Sequence, residues 1–341
     1  MKNQVKIILC FIVLAFLFSH FPSTNSAITA IQDDAVASVA YMSRHGIIED
    51  KTAWQEVVDK TDGGRNITTI ADLNAVMQVG NKHSSAAKRD AVIRHEQLPV
   101  AHCAGRLTVV DIPTFYTVSQ TVYMRYIVRL NQLVAHAQGN LVLNFSGNQG
   151  GIPTAMIFGL YALIPNGRLW TSVANTGKGR QVSLAKDGLQ GGAASYRSTV
   201  VKRVLEKVKK RLNKKVAIIM DNNSASAAEF TIMAVKKNPL TRIFGLPSAG
   251  YTTENSSVTY HSPIDDNSWL IIPWMVTRTD HTVRCINVVN ARQTHNFSNT
   301  PIMPDVLFTQ PINTGKADGH HAQISKALLN QIRQWFESST K

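Results

Sequence analysis

The chain has 341 residues, of which 44% are hydrophobic, and its formal net charge is +14. This length and apolar fraction predict one large or two small globular domains with a packed core. The sequence contains no internal repeat and no low-complexity tract, which excludes a solenoid and a compositionally biased, disordered chain.

The first 27 residues have the order of a secretory signal peptide. Lys2 and Lys6 precede an unbroken run of 12 apolar residues, Ile7–Phe18, and a stretch of small residues follows. This order predicts export, with cleavage near Ser26 or Ala27, to the periplasm, the cell surface or the medium. Twelve apolar residues are fewer than the roughly 20 that span a bilayer, and a short uncleaved anchor is the alternative.

Two cysteines follow the predicted signal, Cys103 and Cys285. An oxidising compartment permits a disulfide between them, and two unpaired thiols are the other interpretation. The sequence contains neither a Cys-x-x-Cys nor a His-Glu-x-x-His spacing, so it predicts no metal site, and no cofactor is expected.

Residues 28–100 are predicted to form an N-terminal helical cap region. Ile31–Arg44 carries acidic residues early and a glycine beyond its end, as helix termini prefer. Trp54 marks a second short helix. Thr69, with an acidic residue three positions later, resembles a capping box that starts a third helix, which ends at Gly80.

Residues 101–341 are predicted to form the core, because strands there alternate with helices, as in a layered α/β fold. The predicted strands are Leu107–Ile112, Leu141–Phe145, Val216–Asp221, Arg242–Phe244 and Trp269–Val276. The predicted helices are Thr117–His136, Pro153–Leu163, Ser226–Lys236 and His321–Phe336.

Residues 202–215 concentrate the positive charge, with eight basic residues and one acid. Apolar residues recur there at helical spacing, which predicts an amphipathic helix with a solvated basic face. The alternative is a patch that binds an anionic envelope surface. Nucleic acid is not expected as a partner, because the protein is predicted to be exported and no aromatic residues interleave with the basic ones.

Two loops after predicted strands contain candidate functional residues. Gly147, Gly150 and Gly151 crowd the end of one strand, where main-chain N–H groups can hold an oxyanion, although a tight turn needs the same residues. Ser226 opens a helix after the second strand, where a serine can be a nucleophile or an ordinary N-cap. A serine nucleophile needs a base, and composition alone does not select one of the histidines.

Three segments resemble the C-terminal-processing, or tail-specific, serine peptidases. They are LVLNFSGNQGG at 141–151, VAIIMDNNSASAAE at 216–229 and PIMPD at 301–305. Further similarity appears in GLYALIPNG at 159–167 and SAGYTTEN at 248–255. The resemblance implies a ClpP/crotonase-like α/β core and a serine-type peptidase that cleaves near the C-terminus of its substrate. It implies Ser226 as nucleophile, three residues before Glu229, with Ser224 as the alternative.

The chain departs from the common branch of that family, which uses a lysine 25 residues after the serine. Position 251 is tyrosine, and no PDZ-like segment is evident. Both features resemble the nisin resistance proteins, which pair the serine with a histidine in a GGKHS segment. The matching segment here is Gly80-Asn-Lys-His-Ser84, which implies His83 as the general base.

The resemblance implies acyl transfer, in which the N–H groups of Gly150 or Gly151 and of Ala227 hold the oxyanion. Glu229 is the nearby acid, and a structural role behind the reacting groups is expected for it. The substrate is expected to be the C-terminal tail of a peptide or protein. A cationic lantibiotic tail, which nisin resistance proteins trim, would be disfavoured by the charge of +12 that remains after Lys2 and Lys6 leave.

Three alternatives remain from the sequence. A catalytically silent peptide- or ligand-binding protein on the same fold predicts that the imidazole of His83 and the hydroxyl of Ser226 lie far apart. An envelope-binding protein would act through the basic 202–215 helix. A Ser–Lys peptidase would use Lys236 or Lys237, which lie on the helix of the serine and should point away from it.

Overall fold

The computed structural model describes residues 24–88, 95–191, 196–260, 274–284, 299–313 and 323–338. Its helices are α1 Thr24–His45, α2 Lys51–Lys60, α3 Ile70–Gly80, α4 Gln120–His136, α5 Pro153–Gly159, α6 Thr199–Leu205, α7 Ala227–Lys236 and α8 Lys326–Ser338. Its strands are β1 Ser85–Lys88, β2 Val100–Ala104, β3 Leu107–Asp111, β4 Asn140–Asn144, β5 Gly167–Ala174, β6 Gly179–Ala185, β7 Gly188–Gln190, β8 Tyr196–Arg197, β9 Val216–Met220, β10 Thr241–Gly245, β11 Thr253–Tyr260, β12 Trp274–Arg284 and β13 Val306–Leu307.

The core sheet has the strand order β13-β10-β9-β4-β3-β2. Strands β3, β4, β9, β10 and β13 pair in parallel, and β2 pairs antiparallel with β3. Because β4 and β9 are parallel neighbours, the loops that follow them leave the same edge of the sheet. That edge is where open α/β sheets bind their ligands.

Strand β9 shows why the core sequence is apolar without interruption. All five of its residues, VAIIM, are buried. Val216 and Ile218 belong to the cluster formed with α4, α5 and α7, whereas Ala217 and Ile219 belong to the cluster under α8. Successive residues of a strand point to opposite faces, so helices on both faces require apolar residues at every position.

A second, antiparallel sheet has the order β1-β12-β5-β6-β7-β8, and β11 also pairs with β12. Strand β1 follows the N-terminal helices and pairs with β12 through Ser85 and Thr277. Strands β5 to β8 were not predicted from the sequence, because they are partly exposed and their polar residues and glycines obscure the alternation. Strands β7 and β8 also have only three and two residues.

Helices α1, α2 and α3 pack around an apolar cluster of their own, which includes Met42, Trp54 and Leu73. The side chain of Thr69 accepts a hydrogen bond from the main-chain N–H of Asp72 at 3.0 Å, so the predicted start of α3 is confirmed. The helix ends at Gly80, where a Cβ atom would lie 2.9 Å from the Trp54 ring.

The predicted α/β class is confirmed, and β3, β4, β9, β10, α4, α7 and α8 lie within a few residues of the predicted segments. The predicted helix Pro153–Leu163 is divided into α5 and a 3-10 turn, Tyr161–Leu163. The predicted strand Trp269–Val276 overlaps β12, and residues 269–273 lie outside the described residues. The division of the chain at residue 100 stays a prediction.

The predicted basic helix 202–215 is wrong beyond Leu205, where α6 ends. The following turns direct basic side chains inward, onto main-chain carbonyl groups. Lys210 Nζ donates to the carbonyls of Tyr161 and Ile164 at 2.8 and 2.6 Å, and Arg211 Nη1 donates to that of Val134 at 2.8 Å. These side chains stabilise carbonyls near the end of α4 and the 3-10 turn, so the run does not form a continuous basic helical face.

Two predictions fall outside the described residues. The apolar run of the predicted signal precedes residue 24, and Cys285 lies in residues 285–298. Cys103 lies on β2 with an exposed side chain. Among the described residues, no helix combines the length and the apolar character that a membrane span requires.

Candidate active site

Ser226 lies between β9 and α7, at the edge of the core sheet where the parallel strands end. Its backbone has a φ of +54°, which a residue with a side chain rarely adopts. Such a sharp turn from strand to helix presents the hydroxyl at the surface of the sheet and stores strain where a reacting group is held. The predicted helix 226–236 therefore begins one residue later, at Ala227.

The loop after β4 packs directly against this turn. The main-chain N–H of Ala225 donates to the carbonyl of Asn148 at 2.9 Å. A Cβ atom at Gly150 would lie 2.9 Å from both the Ser226 Cβ and the Ala227 nitrogen, so only glycine permits this approach. The φ of Gly150, +102°, also favours glycine.

The three predicted oxyanion donors differ in their hydrogen bonds. The N–H of Gly150 donates to the side-chain oxygen of Asn148 at 2.8 Å, so it is already occupied. Ala227 is the first residue of α7, where main-chain N–H groups have no partner within the helix. Gly151 has a φ of +114° and lies against Phe115 in an isolated bridge.

His83 reaches Ser226 from the N-terminal region, through the turn between α3 and β1. Its Nε2 lies 3.0 Å from the Ser226 Oγ, and its Nδ1 lies 3.2 Å from the Thr253 Oγ1. The silent-binding alternative predicts a wide separation of these two side chains, and they are instead within hydrogen-bonding distance. The Tyr251 ring packs edge-on against the imidazole, with centroids 5.2 Å apart, at the position where the common branch has its lysine.

The surroundings of His83 keep its imidazole neutral. Burial lowers the pKa of His83 from 6.5 to about 4, a hydrogen bond to the main chain of Thr253 opposes this, and the charge of Lys82 adds to the lowering. Lys82 is held beside it by a hydrogen bond from its Nζ to the Ala249 carbonyl at 2.9 Å. A neutral imidazole can accept a proton, so the arrangement suits general-base chemistry.

Glu229 is fully buried one helical turn after Ser226 and holds the loops around it. One carboxylate oxygen accepts from the N–H groups of Ser226 and Tyr251 at 2.8 and 2.7 Å. The other accepts from the Ser248 hydroxyl and the Gly250 N–H. Burial raises the pKa of Glu229, and these hydrogen bonds act in the opposite direction. The carboxylate thus binds three main-chain N–H groups and one hydroxyl behind the pocket, and its structural role stays a prediction.

The other candidate residues are engaged elsewhere. Ser224 is fully buried, and its hydroxyl donates to the Phe145 carbonyl at 2.8 Å. Lys236 forms an ion pair with Asp305 of the PIMPD segment. The described residues contain no cluster of three or more His, Cys, Asp or Glu side chains that could hold a metal ion.

Ser226 and His83 open into a pocket of about 450 Å³. Its wall consists of neutral polar and small residues together with the tyrosine, namely His83, Gln149, Asn222, Asn223, Ala225, Ser226, Ala249 and Tyr251. No carboxylate is among these lining residues, so the wall has no negative charge of its own to attract a cationic peptide.

A strained serine at a strand-to-helix turn, hydrogen-bonded to an enclosed neutral imidazole, is the arrangement found in serine hydrolases. Similarity to known proteins shows which family of serine hydrolases this is. Residues 106–288 match Peptidase family S41, and the chain belongs to this family. The predicted resemblance to the tail-specific peptidases is therefore confirmed.

Two further similarities cover most of the chain. It is 26% identical over 276 residues to the nisin-resistance protein of Lactococcus lactis subsp. lactis, an alignment that covers 78% of this chain and 79% of that protein. The structure of a lipoprotein from Streptococcus agalactiae matches with a TM-score of 0.67 at 18% identity, over 93% of this chain and 97% of that one. The second similarity concerns the fold alone.

Several residues around His83 were not predicted from the sequence, among them Thr253, Asn299 and Glu49. Thr253 lies in the SAGYTTEN segment that carries part of the resemblance, but nothing in that segment indicates a contact with a histidine 170 positions earlier. Glu49 and Asn299 stand outside every motif. Only the folded chain brings them together.

Proposed function

We propose that this S41 peptidase is an exported enzyme that hydrolyses peptides near their C-terminus, with Ser226 as nucleophile and His83 as general base. The observation that carries the proposal is the 3.0 Å separation of His83 Nε2 and Ser226 Oγ. Export rests on the order of charged, apolar and small residues at the N-terminus.

The reaction begins when His83 Nε2 takes the hydroxyl proton of Ser226 as Oγ attacks the carbonyl carbon of the scissile peptide. The negative charge on the carbonyl oxygen is stabilised by the N–H of Ala227, at the positive end of α7, together with that of Gly151. Gly150 would first have to release its hydrogen bond to Asn148. His83 then returns the proton to the leaving amine, and water releases the acyl group by the same route.

The substrate is proposed to be the C-terminal tail of a peptide or protein. The neutral amide side chains of Gln149, Asn222 and Asn223 can hydrogen-bond to peptide groups without selecting for charge. One relative is named for resistance to nisin, so nisin is a natural first peptide to test. The predicted net charge of +12 after signal removal is a reason to test neutral and acidic tails beside it.

The test is hydrolysis of a peptide series by the wild type, Ser226→Ala and His83→Ala, with products identified by mass spectrometry. We expect both variants to lose at least about 1000-fold in kcat, because each removes one half of the proton transfer. Asn222→Ala is a control in the same pocket that should change KM more than kcat. Unchanged cleavage by either catalytic variant would contradict the assignment of these two residues.

Specificity for the tail is tested by pairing each peptide with its C-terminally amidated form. A tail-specific enzyme should cleave the free acid faster, because recognition of a terminal carboxylate requires donors that the amide does not engage equally. Equal rates, with cuts scattered along the peptide, would indicate an endopeptidase without preference for the terminus.

A further inference from the structure

We infer that Thr253, Asn299 and Glu49 are positioning residues that fix the proton of His83 on Nδ1 and connect the imidazole to a carboxylate. This inference rests on the proposed role of His83 as general base. These three residues orient the base, and neither the sequence motifs nor the family match assigns that role to any residue.

The chain of contacts runs from the imidazole away from Ser226. His83 Nδ1 lies 3.2 Å from the Thr253 hydroxyl, which lies 2.9 Å from the side-chain oxygen of Asn299. The Asn299 amide nitrogen donates to Glu49 at 2.7 Å. The residues come from distant positions in the chain, so the contacts depend on the complete fold.

Two main-chain N–H groups determine the direction of every hydrogen bond that links His83 to Glu49. The N–H of Thr253 faces the Asn299 side chain at 3.1 Å, and it can only donate, so the atom it meets is the oxygen. The N–H of His83 likewise requires an oxygen on Asn81, at 2.9 Å. That Asn81 oxygen also accepts from the Asn299 amide nitrogen at 2.8 Å, which confirms the orientation of Asn299.

The position of the proton follows from these directions. The Asn299 oxygen is an acceptor, so the Thr253 hydroxyl must donate its hydrogen to it. The hydroxyl oxygen then presents a lone pair to His83 Nδ1, which must carry a hydrogen. The neutral imidazole therefore has its free lone pair on Nε2, facing the Ser226 hydroxyl.

Glu49 is the last group in this series of hydrogen bonds, and its carboxylate can only accept them. One oxygen receives both the side-chain and the main-chain N–H of Asn299, at 2.7 and 3.2 Å, and the other receives the N–H of Lys82 at 3.1 Å. When His83 takes the proton of Ser226, the polarised chain and the distant negative charge stabilise the imidazolium. In other serine hydrolases a carboxylate contacts the histidine directly. Here Glu49 has the corresponding role through Thr253 and Asn299.

The first experiment compares Thr253→Val, which keeps the shape but removes the hydroxyl, with Thr253→Ser, which keeps the hydroxyl. The control is Thr252→Val, because the buried Thr252 hydroxyl bonds to Thr300 of the same segment without forming part of this chain. We expect Thr253→Val to lower kcat about 10- to 100-fold at nearly constant KM, and Thr253→Ser to restore most of it. Equal kcat values for Thr253→Val and Thr252→Val would overturn the inference.

The second experiment compares Glu49→Gln with Glu56→Gln, an exposed position on α2. Besides Glu49, the charged or titratable groups that the contacts of the described residues place around His83 are Lys82, Tyr251 and, beyond Ser226, Glu229. With these unchanged, loss of the Glu49 charge should move the acid limb of kcat/KM to lower pH and decrease kcat. Loosened packing would instead expose His83 and move the limb to higher pH, which would count against the proposed role.

The third readout does not need peptidase activity. Imidazole ¹⁵N NMR of the Ser226→Ala protein should show His83 protonated on Nδ1, and addition of Thr253→Val should increase the population protonated on Nε2. If the Ser226→Ala protein shows this pattern and the wild type cleaves no peptide, the positioning inference stands and the proposed function fails. If peptides are cleaved but His83 carries its proton on Nε2, the inference fails and the function stands.

Discussion

At the scale of single residues, the properties of His83 follow from the position of its side chain. It comes from the turn after α3 and is enclosed between Ser226, Tyr251 and Thr253. Enclosure removes water from the imidazole and disfavours its charged form, so its pKa falls to about 4. A base of this kind is unprotonated throughout the neutral range, although each proton that it accepts is held less strongly.

The first prediction concerns pH. The proposed reaction requires neutral His83, so kcat/KM should stay constant from pH 7 down to about pH 5 and decline below the pKa of about 4. Lys82→Gln removes a charge that lowers this pKa, and the decline should then begin at higher pH, by less than about one unit because burial is the larger cause.

The control for this prediction is Lys60→Gln, which removes the same charge from an exposed position at the end of α2. Its pH profile should match that of the wild type. A wild-type profile that falls near pH 6.5, the ordinary pKa of histidine, would show that the imidazole is solvated during catalysis and that the enclosed geometry is not the working one.

The residues that sequence could identify are those inside contiguous motifs. Ser226 and His83 were selected because short segments around them resemble a family, and the structure brings their side chains together. Thr253, Asn299 and Glu49 could not be selected, because each contact joins side chains that are far apart in sequence. Such contacts depend on how β11 and the loop before β13 pack, which local patterns do not record.

At the scale of elements, the pattern of apolar residues predicted the strands that are buried on both faces. It failed where side chains that bind main-chain carbonyl groups of other elements decide the structure. Strand β9 is apolar at every position and was predicted. The run 202–215 has apolar residues at helical spacing, yet α6 ends at Leu205. Lys210 and Arg211 leave the helical path because carbonyl groups of other elements accept their hydrogen bonds. The pattern shows the apolar residues but not these partners.

The second prediction tests this account with adjacent lysines. Lys210→Met removes two hydrogen bonds to carbonyls and a cation–π contact, with Nζ 3.2 Å from the Tyr161 ring centroid. It should lower the free energy of unfolding by about 2 kcal/mol in urea denaturation. Lys209→Met, at an exposed position, should change it by less than about 0.5 kcal/mol. Equal effects would mean that the run is an ordinary solvated surface.

At the scale of the whole molecule, the site joins two parts of the chain that have separate apolar clusters. Ser226 and Glu229 are held by the core sheet and α7, and the side chains of α7 pack with one face of that sheet in a single cluster. His83 and Glu49 follow helices that pack around Trp54 in another cluster. The hydroxyl and its base therefore come together only when the two clusters keep their relative position, through β1 on β12 and the contacts of Asn299.

The third prediction separates the stabilities of these two clusters. Trp54→Ala leaves a cavity beside Gly80, which should destabilise the N-terminal helices by about 3 to 5 kcal/mol and displace the turn that holds His83. Phe336→Ala opens a comparable cavity in the cluster under α8, on the face of the core sheet opposite to α7. We expect Trp54→Ala to decrease kcat strongly, whereas Phe336→Ala should decrease thermal stability with little change in kcat.

Amide hydrogen exchange shows which part of the molecule each variant loosens. In Trp54→Ala, exchange should increase in residues 51–84 and stay slow in β9 and α7, because the core cluster contains none of the altered contacts. If exchange instead increased equally in β9, the two clusters would unfold as one unit. The N-terminal helices would then contribute to general stability, and delivery of the base to Ser226 would not be a separate property of that region.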